Sequence, residues 1–376
     1  MHVESSADVV VLGGGVAGLS VAAALRARGR ARVTLLEQEP MLASQASARN
    51  AAIFLPVERD AVTTALVVRQ SALLDELFAG TDDAWLDPIG ALLVSADAHA
   101  ARSLTNEVVR NGLRAEYVDR DEMARRSSVL ADGEALGAVY VAKSGILNTH
   151  GMISLLTKRV RELSVAVHSG VGAARVELSQ NRVRAVVLAD GTRIHTSSVV
   201  VAGGAWAESI GTFAGLPLPL VPLKRHLFWL RADVPESIRS PVVWRFDDEV
   251  YFRPESGGIL ASPCDERPTQ PSIDPVEEAD AKDALADKLQ RLAPSLLERG
   301  VRRSWACLRT YAPDRLPVLG RDPRAEGVAW FAGLGGQGMS ICLAAAEVVA
   351  ADVAGGTHPL LDACRPDRLL AGAART

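Results

Sequence analysis

The residues near the N-terminus that are best suited to chemistry are three glycines and one acid. Gly13, Gly15 and Gly18 follow the apolar run Val9–Leu12 as G-x-G-x-x-G, and Glu37 closes the next apolar run. This spacing permits a tight strand-to-helix turn, close backbone approach to a pyrophosphate, and close packing of helix on strand. A carboxylate at position 37 can accept hydrogen bonds from both ribose hydroxyls and repels a 2′-phosphate. The order predicts a dinucleotide site that disfavours NADP.

The Ala- and Leu-rich residues 19–29 after the glycines predict a helix that ends at Gly29. The N-terminus of this helix would offer unpaired N–H groups and a positive dipole end to phosphates. Residues 32–36 predict the second strand. The same fingerprint serves NAD and FAD, so it does not choose between these two cofactors.

Three later segments favour a flavin. Small and hydroxyl residues at 44–54 would let the backbone lie flat against a planar ligand, although a plain loop explains this stretch equally well. Residues 194–206 predict a buried strand that runs into a glycine turn, and residues 328–346 predict a strand, a glycine loop and a helix start. A second helix N-terminus suits a ring that gains negative charge on reduction, as a flavin does.

The whole chain sets limits on the elements that must position these residues. Its 376 residues predict two or three folding units, and 48% hydrophobic with 23% charged residues is typical of a soluble globular enzyme. A net charge of −4 argues against a nucleic-acid partner, and no apolar run approaches the roughly 18 residues of a transmembrane segment. The polar, acidic residues 1–8 are unlike a signal peptide, and the four cysteines have no CxxC pairing. We therefore expect reduced thiols, no zinc site and a cytoplasmic protein.

With these motifs in view, the chain resembles the D-amino acid oxidase/glycine oxidase superfamily of FAD-dependent amine oxidoreductases. The resemblance covers nearly the whole chain. It rests on the glycines with Glu37, on 200–206 (VVAGGAW), on 308–320 (LRTYAPDRLPVLG), on the loop 333–338 (GLGGQG) and on the tail 364–369 (CRPDRL). Segments 223–226, 249–254 and 304–309 are most similar to the bacterial D-arginine dehydrogenases of this superfamily.

The resemblance implies an α/β fold in which a Rossmann-type FAD-binding domain is built from residues 1–84, 146–215 and 309–376. It implies an α+β substrate domain, from 85–145 and 216–308, whose antiparallel sheet forms a roof over the flavin. The sequence agrees with this architecture, because residues 216–262 alternate apolar and polar residues between Pro and Gly turns, and residues 275–299 are charged and helical.

The resemblance also implies the cofactor contacts and the reaction. A neutral amine would pass a hydride from its α-carbon to flavin N5, the imine would hydrolyse, and a quinone, a redox protein or oxygen would take the electrons. The protein needs mainly to orient the substrate and stabilise charge, so the lack of an obvious catalytic histidine is no objection. The expected cofactor residues are Gly13, Gly15, Ala17, Gly18, Glu37, Gln38, Ser47, Arg49, Asn50, Ala51, Ala52, Val171, Gly203, Gly204, Trp206, Cys307, Arg309, Gly335, Gly336, Gln337, Gly338, Met339 and Ser340.

Three positions match family residues that hold the substrate. Arg309 matches the arginine that forks onto the substrate carboxylate, a geometry that a guanidinium meets and an ammonium does not. Tyr251 matches the roof tyrosine whose hydroxyl reaches the same carboxylate, and Gly336 would place a carbonyl near the amine. The substrate should therefore be a small amino acid or carboxylate-bearing amine, D-configured or N-substituted.

Other positions depart from the dehydrogenase pattern. Ile53 replaces a histidine, His226 replaces a second arginine, and Gly90 replaces the glutamate that meets a basic side chain. Val242 and Trp244 replace small or flexible roof residues. These changes argue against D-arginine and favour a more apolar or differently shaped amino acid. A protonated His226 could hold a carboxylate, and a structural, hydrogen-bonded histidine is the alternative.

Two further positions bear on how the flavin is held and reoxidised. Cys307 matches the cysteine that bonds the flavin in the related monomeric sarcosine oxidase, whereas an inert buried thiol is the favoured alternative. Leu260 stands where that relative has an oxygen-activating lysine, which favours a dehydrogenase over an oxygen-using oxidase, with Lys224 as the nearest reserve cation. A flavin-binding subunit without turnover is a third possibility, against which Arg309 and Tyr251 argue.

Overall fold

The computed structural model describes residues 4–29, 31–58, 60–231 and 240–370 of the chain. The predicted domain ranges 1–84, 216–308 and 309–376, and the N-terminal residues 1–8, therefore reach partly outside the described residues. The strands, in chain order, are β1 (Val9–Leu12), β2 (Val33–Glu37), β3 (Ile53–Phe54), β4 (Leu86–Asp87), β5 (Ala91–Ser95), β6 (Glu116–Asp119), β7 (Gly137–Val141), β8 (Gly145–Leu147), β9 (Ala166–Ser169), β10 (Ala174–Ser179), β11 (Arg182–Leu188), β12 (Arg193–His195), β13 (Val199–Val201), β14 (Val221–Arg231), β15 (Val242–Arg245), β16 (Val250–Glu255), β17 (Gly258–Ser262), β18 (Arg267–Pro268), β19 (Val301–Tyr311), β20 (Val318–Arg321) and β21 (Val328–Ala332).

The helices connect these strands and cover the sheets that they form. They are α1 (Val16–Arg28), α2 (Ala61–Phe78), α3 (Ala98–Arg110), α4 (Arg120–Arg126), α5 (Thr149–Glu162), α6 (Ala207–Phe213), α7 (Ala279–Leu292), α8 (Gly338–Val353) and α9 (Leu361–Cys364). Among the described residues we find no helix whose length and hydropathy would suit a membrane span.

The first large sheet is the predicted Rossmann-type sheet. Its order is β20-β21-β13-β1-β2-β9, parallel from β21 to β9, with β20 antiparallel at the edge. The Val-rich strand β1 is covered on both faces, as its continuous apolar run predicts. Val9 and Val11 pack into the core beneath α1, α2, α5 and α8, whereas Val10 and Leu12 pack beneath the antiparallel sheet β10-β11-β12.

The second large sheet is the predicted roof. Its order is β18-β14-β17-β16-β15-β5-β7-β6, with β19 on the other side of β14. Every pairing is antiparallel except that of β15 with β5, which is parallel. Along the chain, strands of the first sheet come between β5 and β15. The charged segment 275–299 forms α7 and a separate 3-10 turn, because Pro294 cannot continue the helix.

Strand β19 belongs to the roof, and its last residues lie in the predicted FAD-binding range. All six strands of the Rossmann-type sheet lie within the predicted FAD-binding ranges, and the roof strands lie within the substrate ranges apart from the end of β19. The predicted boundary between residues 308 and 309 falls inside this strand, which pairs with β14 along almost its full length. One continuous strand therefore extends from the roof into the region between the sheets.

At the edge of the Rossmann-type sheet, a buried carboxylate stabilises the pairing of β20 with β21. Asp322 accepts hydrogen bonds from the Trp330 indole at 2.8 Å and from the Arg324 guanidinium at 2.7 Å. Burial alone would raise the pKa of Asp322, but the hydrogen bonds from Arg324 and Trp330 hold it below the ordinary 3.8.

Replacing Asp322 by Asn should lower the free energy of unfolding at pH 7 by about 1.5–3 kcal/mol, because both donors lose a charged acceptor. This contribution is present above the unfolded-state pKa and disappears as the pH falls through the lower folded-state pKa, so the gap between wild type and variant should narrow below about pH 4. Urea unfolding of both proteins at several pH values from 3 to 7 measures this difference in the free energy of unfolding. Asp362→Asn, at an exposed aspartate, is the control and should change stability by less than about 0.5 kcal/mol. An equal loss in both variants would contradict the assignment.

Candidate active site

A cavity of about 420 Å³ opens at the carboxyl ends of the parallel strands and extends toward β19. The ends of β1, β2, β13 and β21 all contribute to its wall, which is the position where open α/β sheets bind ligands. Of the predicted site residues, the following line it: Gly13, Gly15, Ala17, Glu37, Gln38, Ser47, Arg49, Asn50, Val171, Gly203, Gly204, Trp206, Cys307, Arg309, Gly335, Gly336, Gly338 and Met339.

The glycine turn between β1 and α1 has no room for side chains. Gly13 has a φ of +111°, and a Cβ there would lie 2.4 Å from the carbonyl oxygen of Ala202. A Cβ on Gly18 would lie 1.8 Å from the carbonyl oxygen of Gly13, so this residue lets the helix touch the turn without lining the cavity. The α1 N-cap, Gly15, has no capping side chain, so the backbone itself faces the cavity as a diphosphate requires.

Glu37 is held rigidly at the end of β2. Its Oε2 accepts a hydrogen bond from the backbone N–H of Gly14 at 2.6 Å, and its Oε1 accepts one from Glu39 at 2.9 Å. Burial raises the pKa of this carboxyl. Each carboxylate oxygen keeps a further lone pair, so the group can still accept bonds from ribose hydroxyls.

The loop at residues 44–54 is more than a plain connection, because several of its residues line the cavity. Ser47 Oγ accepts a hydrogen bond from the first amide of α1, at Val16, at 3.0 Å. Asn50 holds the loop internally, since its side chain donates to the Ser47 carbonyl and accepts from the Ala52 amide. Ala51 and Ala52 lie behind this surface, and Ala52 has a φ of +53°.

The second glycine loop lies directly against Arg309. A Cβ on Gly336 would come within 2.5 Å of Arg309 Nη1, and one on Gly335 within 2.3 Å of the Tyr311 ring. Helix α8 begins at Gly338, before the predicted residue 341, so its N-terminus faces the cavity. Gln337 and Ser340 do not line the cavity: the amide of Gln337 donates to Glu58 at 2.7 Å, and Ser340 is buried in α8.

Arg309 carries a charge without a protein partner. Its guanidinium lines the cavity, and none of the described carboxylates lies within ion-pair distance of it. Burial opposes this charge, but the neighbouring Tyr251 phenol and Cys307 thiol raise the pKa of Arg309 above its ordinary value. The site therefore presents a fixed positive charge that an anionic ligand can neutralise.

Tyr251 offers a second unsatisfied group beside this charge. The side chain is 1% exposed, and its hydroxyl has no hydrogen-bond partner among the described residues. Burial raises the pKa of Tyr251, while Arg309 acts in the opposite direction. Buried hydroxyls in native proteins almost always have a partner, yet Tyr251 is enclosed in the roof and is not among the residues that line the cavity.

Tyr251 belongs to a group of mainly apolar residues that we call the roof cluster. Two of the predicted substrate residues, Ile53 and Trp244, pack against it, and the Trp244 and Tyr251 rings lie 5.2 Å apart. Neither residue lines the cavity itself. The roof cluster comprises Ala51, Leu227, Tyr251, Leu260, Cys264 and Cys307, with Ile53, Trp244 and Trp305 packed against them.

Both ring nitrogens of His226 are engaged within the protein, as the structural alternative for this residue expects. The ring is fully buried, its Nε2 accepts a hydrogen bond from the Glu278 amide at 3.0 Å, and its Nδ1 lies 2.6 Å from Asp265. Nε2 accepts, so Nδ1 carries the proton, and no ring nitrogen remains for a ligand. The reserve cation Lys224 is also engaged, 2.6 Å from Glu278.

Sequence reasoning did not assign every residue that lines the cavity, and Pro275 and Phe213 are two examples outside the predicted motifs. Pro275, expected in a helix, lies in the loop before α7, and Phe213, the last residue of α6, is 76% exposed beside the opening. The Pro-rich composition of residues 268–275 is a loop signal. No local signal places either residue at the cavity, because the contact depends on how the two sheets pack.

The fold and the cavity define a class of protein: a dinucleotide-binding α/β domain beneath an antiparallel roof that carries an unpaired arginine. A family model described as DAO, FAD dependent oxidoreductase, matches residues 8–351. The chain therefore belongs to the DAO family of FAD-dependent oxidoreductases, which confirms the predicted family and cofactor.

Individual relatives are distant. Glycine oxidase of Geobacillus kaustophilus is 24% identical over 338 residues, covering 87% of each chain. The mitochondrial pyruvate dehydrogenase phosphatase regulatory subunit of Mus musculus is 23% identical over 90% of this chain. The chain spans only 40% of the length of the mouse protein, and 47% of the length of another curated relative. L-proline dehydrogenase from P. horikoshii has the same fold, with a TM-score of 0.88 at 21% identity over 98% of this chain and 99% of its own.

Replacing Gly18 by Ala should abolish or strongly weaken FAD binding, because the new methyl group can be accommodated only by moving the turn that faces the diphosphate. The ratio of flavin to protein absorbance after purification measures this. Gly29→Ala, at the end of the same helix with open space around it, should retain the flavin. Equal flavin content in both variants would show that the turn tolerates the shift.

Proposed function

We propose that this protein oxidises the C–N bond of a small amine that bears a carboxylate, with FAD as the hydride acceptor. The observation that carries this proposal is a pair of unsatisfied groups: the Arg309 guanidinium in the cavity wall, and the buried Tyr251 hydroxyl in the roof cluster next to it. A bidentate guanidinium with a phenol donor matches the geometry and charge of a carboxylate. Relatives such as glycine oxidase and L-proline dehydrogenase are named for amino acids, which supports the proposal.

Each residue has a distinct task in this reaction. Arg309 and Tyr251 would hold the carboxylate, and the carbonyl of Gly336, beside Arg309, would accept a hydrogen bond from the amine. These contacts orient the substrate α-hydrogen, and such positioning supplies much of the rate enhancement in reactions that need little acid–base chemistry. Bound FAD would supply the acceptor for the hydride, and water would then hydrolyse the imine to an oxo product and an amine.

The walls favour an uncharged, apolar substrate side chain. Position 90 cannot carry an acid without rearrangement, since Gly90 has a φ of +79° and a Cβ there would lie 2.6 Å from the Tyr140 ring. Of the described residues that line the cavity, Glu37 alone is acidic, and it lies at the nucleotide end. The roof cluster beside Arg309 is mainly apolar. A basic side chain would have no charge partner there.

We further propose that electrons leave to an acceptor other than oxygen. Leu260 is buried in the roof cluster, and Lys224 is paired with Glu278, so neither position provides a free cation near the flavin. An anaerobic screen of D- and L-amino acids and N-methyl amines, followed by flavin bleaching, identifies the substrate. Bleaching by no amine would favour a flavin-binding subunit without turnover.

Replacing Arg309 by Met should reduce kcat/KM for a carboxylate substrate by the equivalent of about 2–5 kcal/mol, because the carboxylate loses its charge partner. Steady-state kinetics with the substrate from the screen measure the loss. Arg302→Met, at an exposed arginine on the same strand, should leave kcat/KM within about twofold. An unchanged value for the Arg309 variant would remove this residue from the site.

Two simple measurements test the flavin chemistry. With saturating substrate in air, peroxide should form far more slowly than an artificial quinone is reduced, because Leu260 stands where an oxygen-activating lysine is expected and Lys224 is paired with Glu278. Rapid peroxide release would instead identify an oxidase.

Acid precipitation should release the flavin into the supernatant, whereas yellow colour in the pellet would indicate a covalent bond to Cys307.

A further inference from the structure

Two side chains of the roof hold consecutive parts of the loop that lines the flavin cavity. Arg253 on β16 donates from Nε to the carbonyl of Ala51 at 2.5 Å. Trp305 on β19 donates from Nε1 to the carbonyl of Arg49 at 3.3 Å. These are the strands that also carry the carboxylate-binding groups Tyr251 and Arg309. Each substrate-binding strand is therefore linked directly to the loop.

Because the loop at residues 44–54 lines the cavity, a small movement of this loop would change the shape of the flavin site. Ser47 contacts the first amide of α1, and Ser47, Arg49 and Asn50 line the cavity. The Ala52 carbonyl accepts a hydrogen bond from the Leu147 amide at 2.7 Å, and Ala52 itself has a φ of +53°. A non-glycine residue with a positive φ, in the left-handed region of backbone conformation, lowers the stability of the folded state. Such a residue persists only where its surroundings hold it. The bond from Arg253 to the preceding carbonyl supplies such a hold.

Arg253 is unusual as a structural residue because burying a guanidinium is costly. It is 4% exposed, and all three of its nitrogens are used: Nε on Ala51, Nη1 on the Pro254 carbonyl at 2.7 Å, and Nη2 on Glu255 at 2.6 Å. Glu255 compensates the charge, so Nε is left to act on the loop. Tyr251 and Arg253 are two residues apart on one strand and therefore point to the same face.

We propose that Arg253 is a positioning residue that fixes the cavity-lining loop relative to the Tyr251 hydroxyl, and thereby sets how the bound substrate meets the flavin. This rests on the proposed function above. Arg253 would act through the loop and would touch neither substrate nor cofactor. Its loss should disturb the alignment of the reacting groups while leaving the carboxylate contacts of Arg309 in place.

The experiment compares three holoenzyme variants. Arg253→Met removes the donors at similar length, Arg253→Lys keeps the charge and one donor group, and Glu255→Gln removes the charge partner while leaving Nε free to bond Ala51. Three readouts are needed: the rate of anaerobic flavin reduction at saturating substrate, the Kd of benzoate (a carboxylate without an α-hydrogen) from flavin absorbance, and hydrogen exchange of the amides at 47–53.

For Arg253→Met we expect flavin reduction to slow by on the order of tenfold to a hundredfold, as for a misplacement of about 1 Å. Benzoate affinity should stay within about threefold, and exchange at 47–53 should accelerate. Arg253→Lys should recover part of the rate, and Glu255→Gln should resemble wild type. If Arg253→Met does not fold, Arg253→Lys and Trp305→Phe, which keeps the ring without its donor, decide through the same readouts.

An unchanged reduction rate, unchanged exchange at 47–53, or a benzoate Kd that rises in parallel with the fall in rate would each overturn the proposal. Equal losses in Glu255→Gln would show that the ion pair, and not the bond to Ala51, matters. If no amine reduces the wild-type flavin, the proposed function fails on its own. The exchange and benzoate measurements would still decide whether Arg253 holds the loop.

Discussion

The arrangement of the whole site depends on one half-buried positive charge that no described carboxylate pairs with. Moving a guanidinium out of water is expensive unless an anion compensates it. Around Arg309 the chain supplies only phenol and thiol groups, which raise its pKa without neutralising it. An anionic ligand could supply the missing countercharge, and under the proposed function that anion is the substrate carboxylate.

Three basic side chains on the adjacent strand β14 each contact an acid, whereas Arg309 has no such partner among the described residues. Lys224, Arg225 and His226 lie consecutively on β14, and each has an acidic partner within 3 Å: Glu278, Glu266 and Asp265 respectively. Burial opposes ionisation of Asp265, but His226 and Arg225 hold its pKa below the ordinary value. These three acids therefore pair with residues of β14, and none of the described acids forms an ion pair with Arg309.

The sequence predicts the nucleotide half of the site well and the substrate half poorly, for a physical reason. The roles of Gly13, Gly15 and Gly18 follow from contacts within one strand-turn-helix unit, so local spacing is sufficient. The roles of His226 and Arg253 depend on partners 39 and 202 residues away in the chain. Sheet register decides those contacts, and register is not visible in composition or periodicity.

The same distinction explains why family resemblance located Arg309 and Tyr251 but not the residues that support them. Leu223 lies opposite Arg309 in the β14–β19 ladder, and Ser262 lies opposite Tyr251 in the β16–β17 ladder. A one-residue slip in either ladder would turn the side chain to the other face of the sheet. The substrate contacts therefore depend on the full set of roof pairings. The loop contacts made by Arg253 and Trp305 connect these strands directly to the loop that lines the flavin cavity.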